Sequence, residues 1–277
     1  MRIDTHQHFW SYNAREYAWM GPGMESLRRD YLPPDLAPLL KVSGVDGTVA
    51  VQARQTLEES TWLLELADQY SFIRGVVGWV DLRSPRVDED LAKLSRHRKF
   101  RGVRHVVQDE PDDQFMLRED FVRGIGRLKK FGLTYDLLLY ARHLPAACEL
   151  VQRFPEQPFV LDHISKPLIK DRKLEPWATD IRRLAAFPNV TCKISGMVTE
   201  ADWKNWKPAD FEPYLDVVFG CFGTQRLMVG SDWPVCTLAA NYADVIQIAA
   251  DYISKLSKDE QAAVWGRNAR RFYGLED

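Results

Sequence analysis

Eight short β-rich runs recur along the chain, and that recurrence constrains the fold more than any other feature. They cover residues 3–8, 48–52, 73–80, 102–106, 134–139, 159–162, 190–194 and 227–230. Amphipathic helical patterns separate most of them. Thr56-Leu57-Glu58-Glu59 opens one as a capping box, with Trp62, Leu63, Leu66 and Ala67 following at helical spacing. Residues 117–130, 144–154, 177–187 and 211–222 give others, and a last helix starts at Ser257 and stops at Gly274. Strands that alternate with helices build a parallel sheet. Eight of them within 277 residues predict an α/β fold, a (β/α)8 TIM barrel rather than an open sheet. No low-complexity linker divides the chain, so residues 1–277 are expected to form a single domain. The irregular stretch 11–34, with Gly21-Pro22-Gly23 and Pro33-Pro34, is expected over the mouth of the barrel.

Composition excludes several classes. A net charge of −2 argues against a general nucleic-acid binder. No apolar run is long enough to span a bilayer, and the N-terminus carries no signal pattern, so no membrane association is expected. Cys148, Cys192, Cys221 and Cys236 form no CxxC pair and read as reduced thiols of a cytoplasmic protein. Gly124-Ile125-Gly126 stops short of a dinucleotide fingerprint, since Lys129 stands where the third glycine belongs. Arg96-His97-Arg98-Lys99 reads as a solvated face.

In such barrels the chemistry sits at the C-terminal ends of the strands. The first run ends in His6-Gln7-His8, and side chains two apart on a strand point the same way. The second ends in Gln52-Ala53-Arg54, the fourth in Arg104-His105 and the sixth in Asp162-His163, with Lys166 just after. The seventh ends in Lys193-Ile194-Ser195-Gly196 and the eighth in Gly230-Ser231-Asp232-Trp233. Four of the six histidines (His6, His8, His105 and His163) thus fall at expected strand ends.

These segments carry a resemblance. Ile3-Asp4-Thr5-His6-Gln7-His8-Phe9-Trp10, Gly102-Val103-Arg104-His105, Leu161-Asp162-His163-Ile164-Ser165-Lys166-Pro167, Cys192-Lys193-Ile194-Ser195-Gly196 and Gly230-Ser231-Asp232-Trp233-Pro234 resemble the amidohydrolase superfamily. Within it they are similar to the amidohydrolase-2 branch that holds the L-fucono- and L-rhamnono-lactonases, and the similarity extends to the closing segment 268–274. The resemblance implies a distorted TIM barrel that hydrolyses an ester or amide bond, with Asp232 at the position of the proton-transfer residue. Metal-dependent members supply a lysine or glutamate at the end of strand four and a histidine at the end of strand five. Neither is present here, which speaks against a two-metal site. A single divalent ion such as zinc at His6, His8 and Asp232 is the alternative. The expectation is that no metal is required, because Arg54, Arg104 and Lys166 can supply positive charge.

The expected reaction is hydrolysis of a small-molecule sugar lactone, an L-fucono- or related 1,4- or 1,5-aldonolactone. Asp232 takes a proton from water and returns it to the ring oxygen. His6, His8 and His163 join it in the catalytic group. The carbonyl oxygen falls to His6, His8, Arg104 or His105, which the sequence does not rank. Gln52, Arg54, Arg104, His105 and Trp233 are the expected substrate contacts, although Arg54 and Arg104 read equally well as structural ion pairs. Lys166 and Lys193 read as structural. Ser195 and Ser231 lack the turn of a serine nucleophile. Two other readings stand beside this one: a metal-dependent decarboxylase or amidohydrolase of the same superfamily, and a catalytically silent binding protein on the same barrel. An oligomer is compatible with the sequence.

Overall fold

The computed structural model describes residues 1–276; Asp277, the last residue of the expected domain span, lies outside the described residues. Eight strands form one parallel sheet in sequence order. They are β1 (Ile3–Gln7), β2 (Gly47–Val51), β3 (Ile73–Gly78), β4 (Phe100–His105), β5 (Thr134–Leu137), β6 (Phe159–Leu161), β7 (Val190–Ile194) and β8 (Leu227–Val229). Every residue of β2 is buried, as expected when both faces of a parallel sheet are covered. The sheet closes at its C-terminal end, where the His8 amide donates to the Trp233 carbonyl and the Asp232 amide to the His6 carbonyl, both over 2.7 Å.

The surrounding helices are α1 (Pro33–Ser43), α2 (Leu57–Gln69), α3 (Val87–Leu94), α4 (Glu119–Leu128), α5 (Leu144–Arg153), α6 (Trp177–Ala185), α7 (Met197–Glu200), α8 (Glu212–Phe222), α9 (Tyr242–Ile253), α10 (Lys258–Ala262) and α11 (Asn268–Tyr273). Thr56 caps α2 by accepting the Glu59 amide at 3.1 Å, but the expected capping box is only half formed, because the Glu59 carboxylate accepts the Ala53 and Arg54 amides instead. The expected last helix is continuous from α10 through a π-helical turn, Ala263–Arg267, into α11. The expected helix over 117–130 is shorter, because 3-10 turns flank α4 and left-handed Gly132 ends the run. Gly124 lies inside α4, where a Cβ would come within 2.0 Å of the Leu82 carbonyl oxygen. Close packing, not phosphate binding, explains that glycine.

Stretch 11–34 does fold across the barrel mouth. Trp10 and Tyr31 exchange backbone hydrogen bonds at 3.0 and 2.9 Å, which pins both ends of the loop. Glu16, Trp19 and Met24 then reach the cavity beneath it. At the opposite end, Tyr273 of α11 sends its hydroxyl into the barrel and donates to Asp136 of β5 at 2.9 Å.

Candidate active site

The barrel interior beneath the site is a balanced ionic network. Lys193 of β7 bridges Asp136 at 2.5 Å and Asp162 at 3.0 Å, and Arg104 of β4 reaches the other oxygen of Asp162 at 3.2 Å. Two cations meet two anions, all nearly inaccessible to water, so each charge has the partner that burial demands. The Arg104 guanidinium is further used by the carbonyl and side-chain oxygens of Gln52 and by His6 Nε2 at 3.2 Å.

Above this floor three imidazoles converge on one carboxylate oxygen. His8 Nε2 lies 3.3 Å from Asp232 Oδ1, His163 Nε2 at 3.8 Å and His6 Nε2 at 3.9 Å. His8 Nδ1 donates to the Val51 carbonyl at 2.8 Å, which turns Nε2 toward Asp232. His163 Nδ1 sits 2.9 Å from Ser195 Oγ. Two glycines make room for this cluster. A Cβ on Gly196 would stand 2.5 Å from His163 Nδ1, and one on Gly230 would stand 2.7 Å from the His6 Cβ.

The backbone here is strained. Asp232 has φ +58°, and His163, Ile164, Ser165 and Lys166 form four consecutive residues at φ +53°, +45°, +59° and +48°. Such a left-handed run costs about 1–2 kcal/mol per residue, and the surrounding structure must impose it. The Lys166 amide donates to the His163 carbonyl at 2.8 Å, Trp177 Nε1 donates to the Ile164 carbonyl at 2.7 Å, and the Ile164 side chain is fully buried.

Protonation follows from these contacts. Burial alone would raise the Asp232 carboxyl; His163, the hydrogen bond and charge of His8, and Lys166 outweigh it, so the group titrates below the usual 3.8. Burial first, then Lys193, His8 and Arg104, hold His6 well below an ordinary imidazole. Burial, aided by His6 and Lys166 and opposed by Asp232, does the same for His163. These contacts favour the carboxylate form of Asp232 and the neutral form of His6 and His163.

The cluster opens into a cavity of about 640 Å³. His8, His163, Asp232, Arg54 and Arg104 line it, as the sequence suggests. His6 lies just below. Gln52 also sits in the floor, where it holds Arg104 and is fully buried. His105 does not reach the cavity: it faces the helix layer, bonded to Glu110 at 2.7 Å and to Trp79 at 3.2 Å and stacked on Phe115. Trp233 packs edge-on to Tyr31 and Phe9. Arg54 is paired with Glu16 and, at 3.9 Å, with Glu59. Sequence reasoning missed Trp19, Gln108, Tyr140, Glu200 and Trp203 on the lining, and set Lys166 aside although it lines the cavity too. Only the place of Lys166 directly after a strand end was a usable signal for any of them.

Eight parallel strands with a carboxylate ringed by imidazoles at their C-terminal ends define a barrel hydrolase. The chain belongs to the amidohydrolase family, whose model matches residues 3–275. It is 44% identical to the L-fucono-1,5-lactonase of Burkholderia multivorans, over 100% of this chain and 97% of that protein. It is 40% identical to the L-fucono-1,5-lactonase of Burkholderia ambifaria, over 99% and 96%. A crystal structure of an amidohydrolase from Burkholderia multivorans with bound zinc superposes with a TM-score of 0.96 at 44% identity, covering 100% of both chains.

The donors present fit a single zinc. His6, His8 and Asp232 offer three ligand atoms within 4.8 Å of one another, and in a neutral His8, whose Nδ1 donates to Val51, Nε2 would carry the lone pair that ligates. β4 ends in Arg104-His105 and β5 in Leu137, so neither strand end carries the lysine, glutamate or histidine that two-metal members place there; His6, Asp162 and His163 form a second close group of donors.

Proposed function

We propose that this protein hydrolyses a polyhydroxylated sugar lactone, L-fucono-1,5-lactone or a close relative, to the sugar acid, with residues 1–277 acting as one catalytic domain. The observation that carries the reading is the Asp232 carboxylate, held among three imidazoles at the edge of a cavity of about 640 Å³. The relatives named L-fucono-1,5-lactonase support the substrate class. Asp232 takes a proton from water as the water oxygen attacks the lactone carbonyl carbon. The tetrahedral oxyanion collapses, the ring C–O bond breaks, and the leaving alkoxide recovers the proton from Asp232. His8 and His163 orient that carboxylate. Arg54, Gln108 and Glu200 line the cavity and would meet ring hydroxyls, while Trp19 and Trp203 add apolar surface to the same lining.

A zinc ion at His6, His8 and Asp232 would supply Lewis-acid polarisation of the carbonyl. We propose that the reaction does not require it. Arg104 already directs an N–H at the His6 Nε2 lone pair from 3.2 Å, and Lys166 adds a second cation at the cavity wall. Four unpaired cysteines fit a reducing, cytoplasmic setting. No helix among the described residues is long and apolar enough to cross a membrane.

The test is kcat/KM for L-fuconolactone, L-rhamnonolactone, D-arabinonolactone and unsubstituted valerolactone. Each missing hydroxyl that leaves a buried polar group unpaired costs about 1–3 kcal/mol, so the hydroxylated rings should be hydrolysed far faster. Equal rates on the bare ring would defeat the sugar assignment, and no activity on any lactone would defeat the reaction itself.

A further inference from the structure

The cavity is lined by three cations, and two of them are already committed. Arg104 is bound to Asp162, Gln52 and His6. Arg54 is bound to Glu16 and Glu59. Lys166 is different. Among the described residues no carboxylate lies within ion-pair distance of its ammonium, and the one partner the structure gives it is the face of Tyr140, 5.4 Å from Nζ to the ring centroid. A half-buried ammonium with no carboxylate in direct contact, at the edge of a cavity, is poised for a negative charge that arrives with a substrate.

The backbone supports the same conclusion. Lys166 is the last of four consecutive left-handed residues, and the turn begins at His163, which faces Asp232. Neither Lys166 nor Ile164 is a residue that accepts this conformation readily. The fold imposes it through Trp177 and the buried Ile164, and the result is that one turn carries both an imidazole of the cluster and the free cation. The charge of Lys166 is felt at Asp232, Glu200, His6 and His163, so it stands close to the place where water must be deprotonated.

We propose that Lys166 is a catalytic residue that binds the lactone carbonyl oxygen and holds the oxyanion of the tetrahedral intermediate. This rests on the lactonase reading. As water adds to the carbonyl carbon and its proton passes to Asp232, the carbonyl π pair moves onto oxygen, where the ammonium neutralises it. When that pair re-forms the double bond, the ring C–O bond breaks and the alkoxide takes the proton from Asp232. Lys166 keeps its own protons throughout.

Lys166→Gly tests this well, because glycine accepts the left-handed conformation and leaves the turn intact. Removing one oxyanion donor should lower kcat by about 10²–10³, with KM moving much less. Added methylammonium or ethylammonium should restore at least about a tenth of the lost rate, and Lys166→Arg should retain more activity than the glycine variant. Circular dichroism checks that the variant is folded. Turnover near wild type, a change confined to KM, or a loss that neither the amine nor Arg relieves would each overturn the inference. Wild-type protein inactive on every lactone would instead remove the lactonase reading beneath it.

Discussion

The Asp232 amide donates to the His6 carbonyl over 2.7 Å, so the barrel closes at two of the residues that form its reactive cluster. Asp4 reinforces the same seam. It accepts Ser231 Oγ at 2.6 Å, the Ser231 amide at 2.9 Å and the Tyr242 hydroxyl at 3.2 Å. Any shift of the strand-eight loop against β1 would therefore move the base relative to its imidazoles.

Asp232→Asn should fold and lose about 10²–10⁴ in kcat, since an amide cannot take a proton from water. The wild-type rate requires the ionised form, whose titration lies below the usual 3.8. Activity should therefore hold as pH falls through the ordinary carboxylate range and drop only below it. Steady-state rates across pH, with folding monitored in parallel, check both points; near-normal turnover in a folded Asn variant would remove Asp232 from this role.

Protein stripped with a chelator, and shown metal-free by elemental analysis, should keep most of its lactonase activity. Activity that disappears and returns with zinc would show that the His6, His8 and Asp232 donors serve a required ion.

Gly196→Ala should damage the site from behind. The residue has φ +64°, and its new Cβ would stand 2.5 Å from His163 Nδ1. We expect a stability loss of about 1–3 kcal/mol. The displaced ring should also cost up to about 10²-fold in kcat. Urea unfolding and steady-state kinetics measure the two effects; a variant normal in both would show that the His163 ring yields freely.

Glu59 gives a pH-dependent stability. It is fully buried and accepts the Ala53 and Arg54 amides, and burial raises its carboxyl from 4.5 to about 7. The fold favours the protonated form, so this contribution is complete below pH 4.5 and is lost as pH rises through about 7. Between about pH 5 and about pH 8 the wild type should lose roughly 2–3 kcal/mol more than Glu59→Gln, which cannot ionise. Parallel urea titrations of the two proteins would contradict this if their difference stayed constant with pH.

The alternation of strands and helices was legible because the strands are short, largely buried runs and several of the helices between them carry an amphipathic period. The strand-end positions of His6, His8, His163 and Asp232 followed, since a parallel barrel brings every strand's C-terminal end to one rim. Helices α1, α3 and α9 carried no such expectation: α1 starts on Pro33-Pro34 where an irregular stretch ends, and α3 has only eight residues. The tertiary structure alone decided what each rim residue does. Adjacent strand residues face opposite sides, so Arg104 entered the barrel and His105 the helix layer, and neighbours in sequence separated in role. It also decided the left-handed turn from His163 to Lys166, which packing imposes against local preference. The freedom of Lys166 is likewise a matter of which carboxylates the fold brings near it, and no stretch of sequence contains that information.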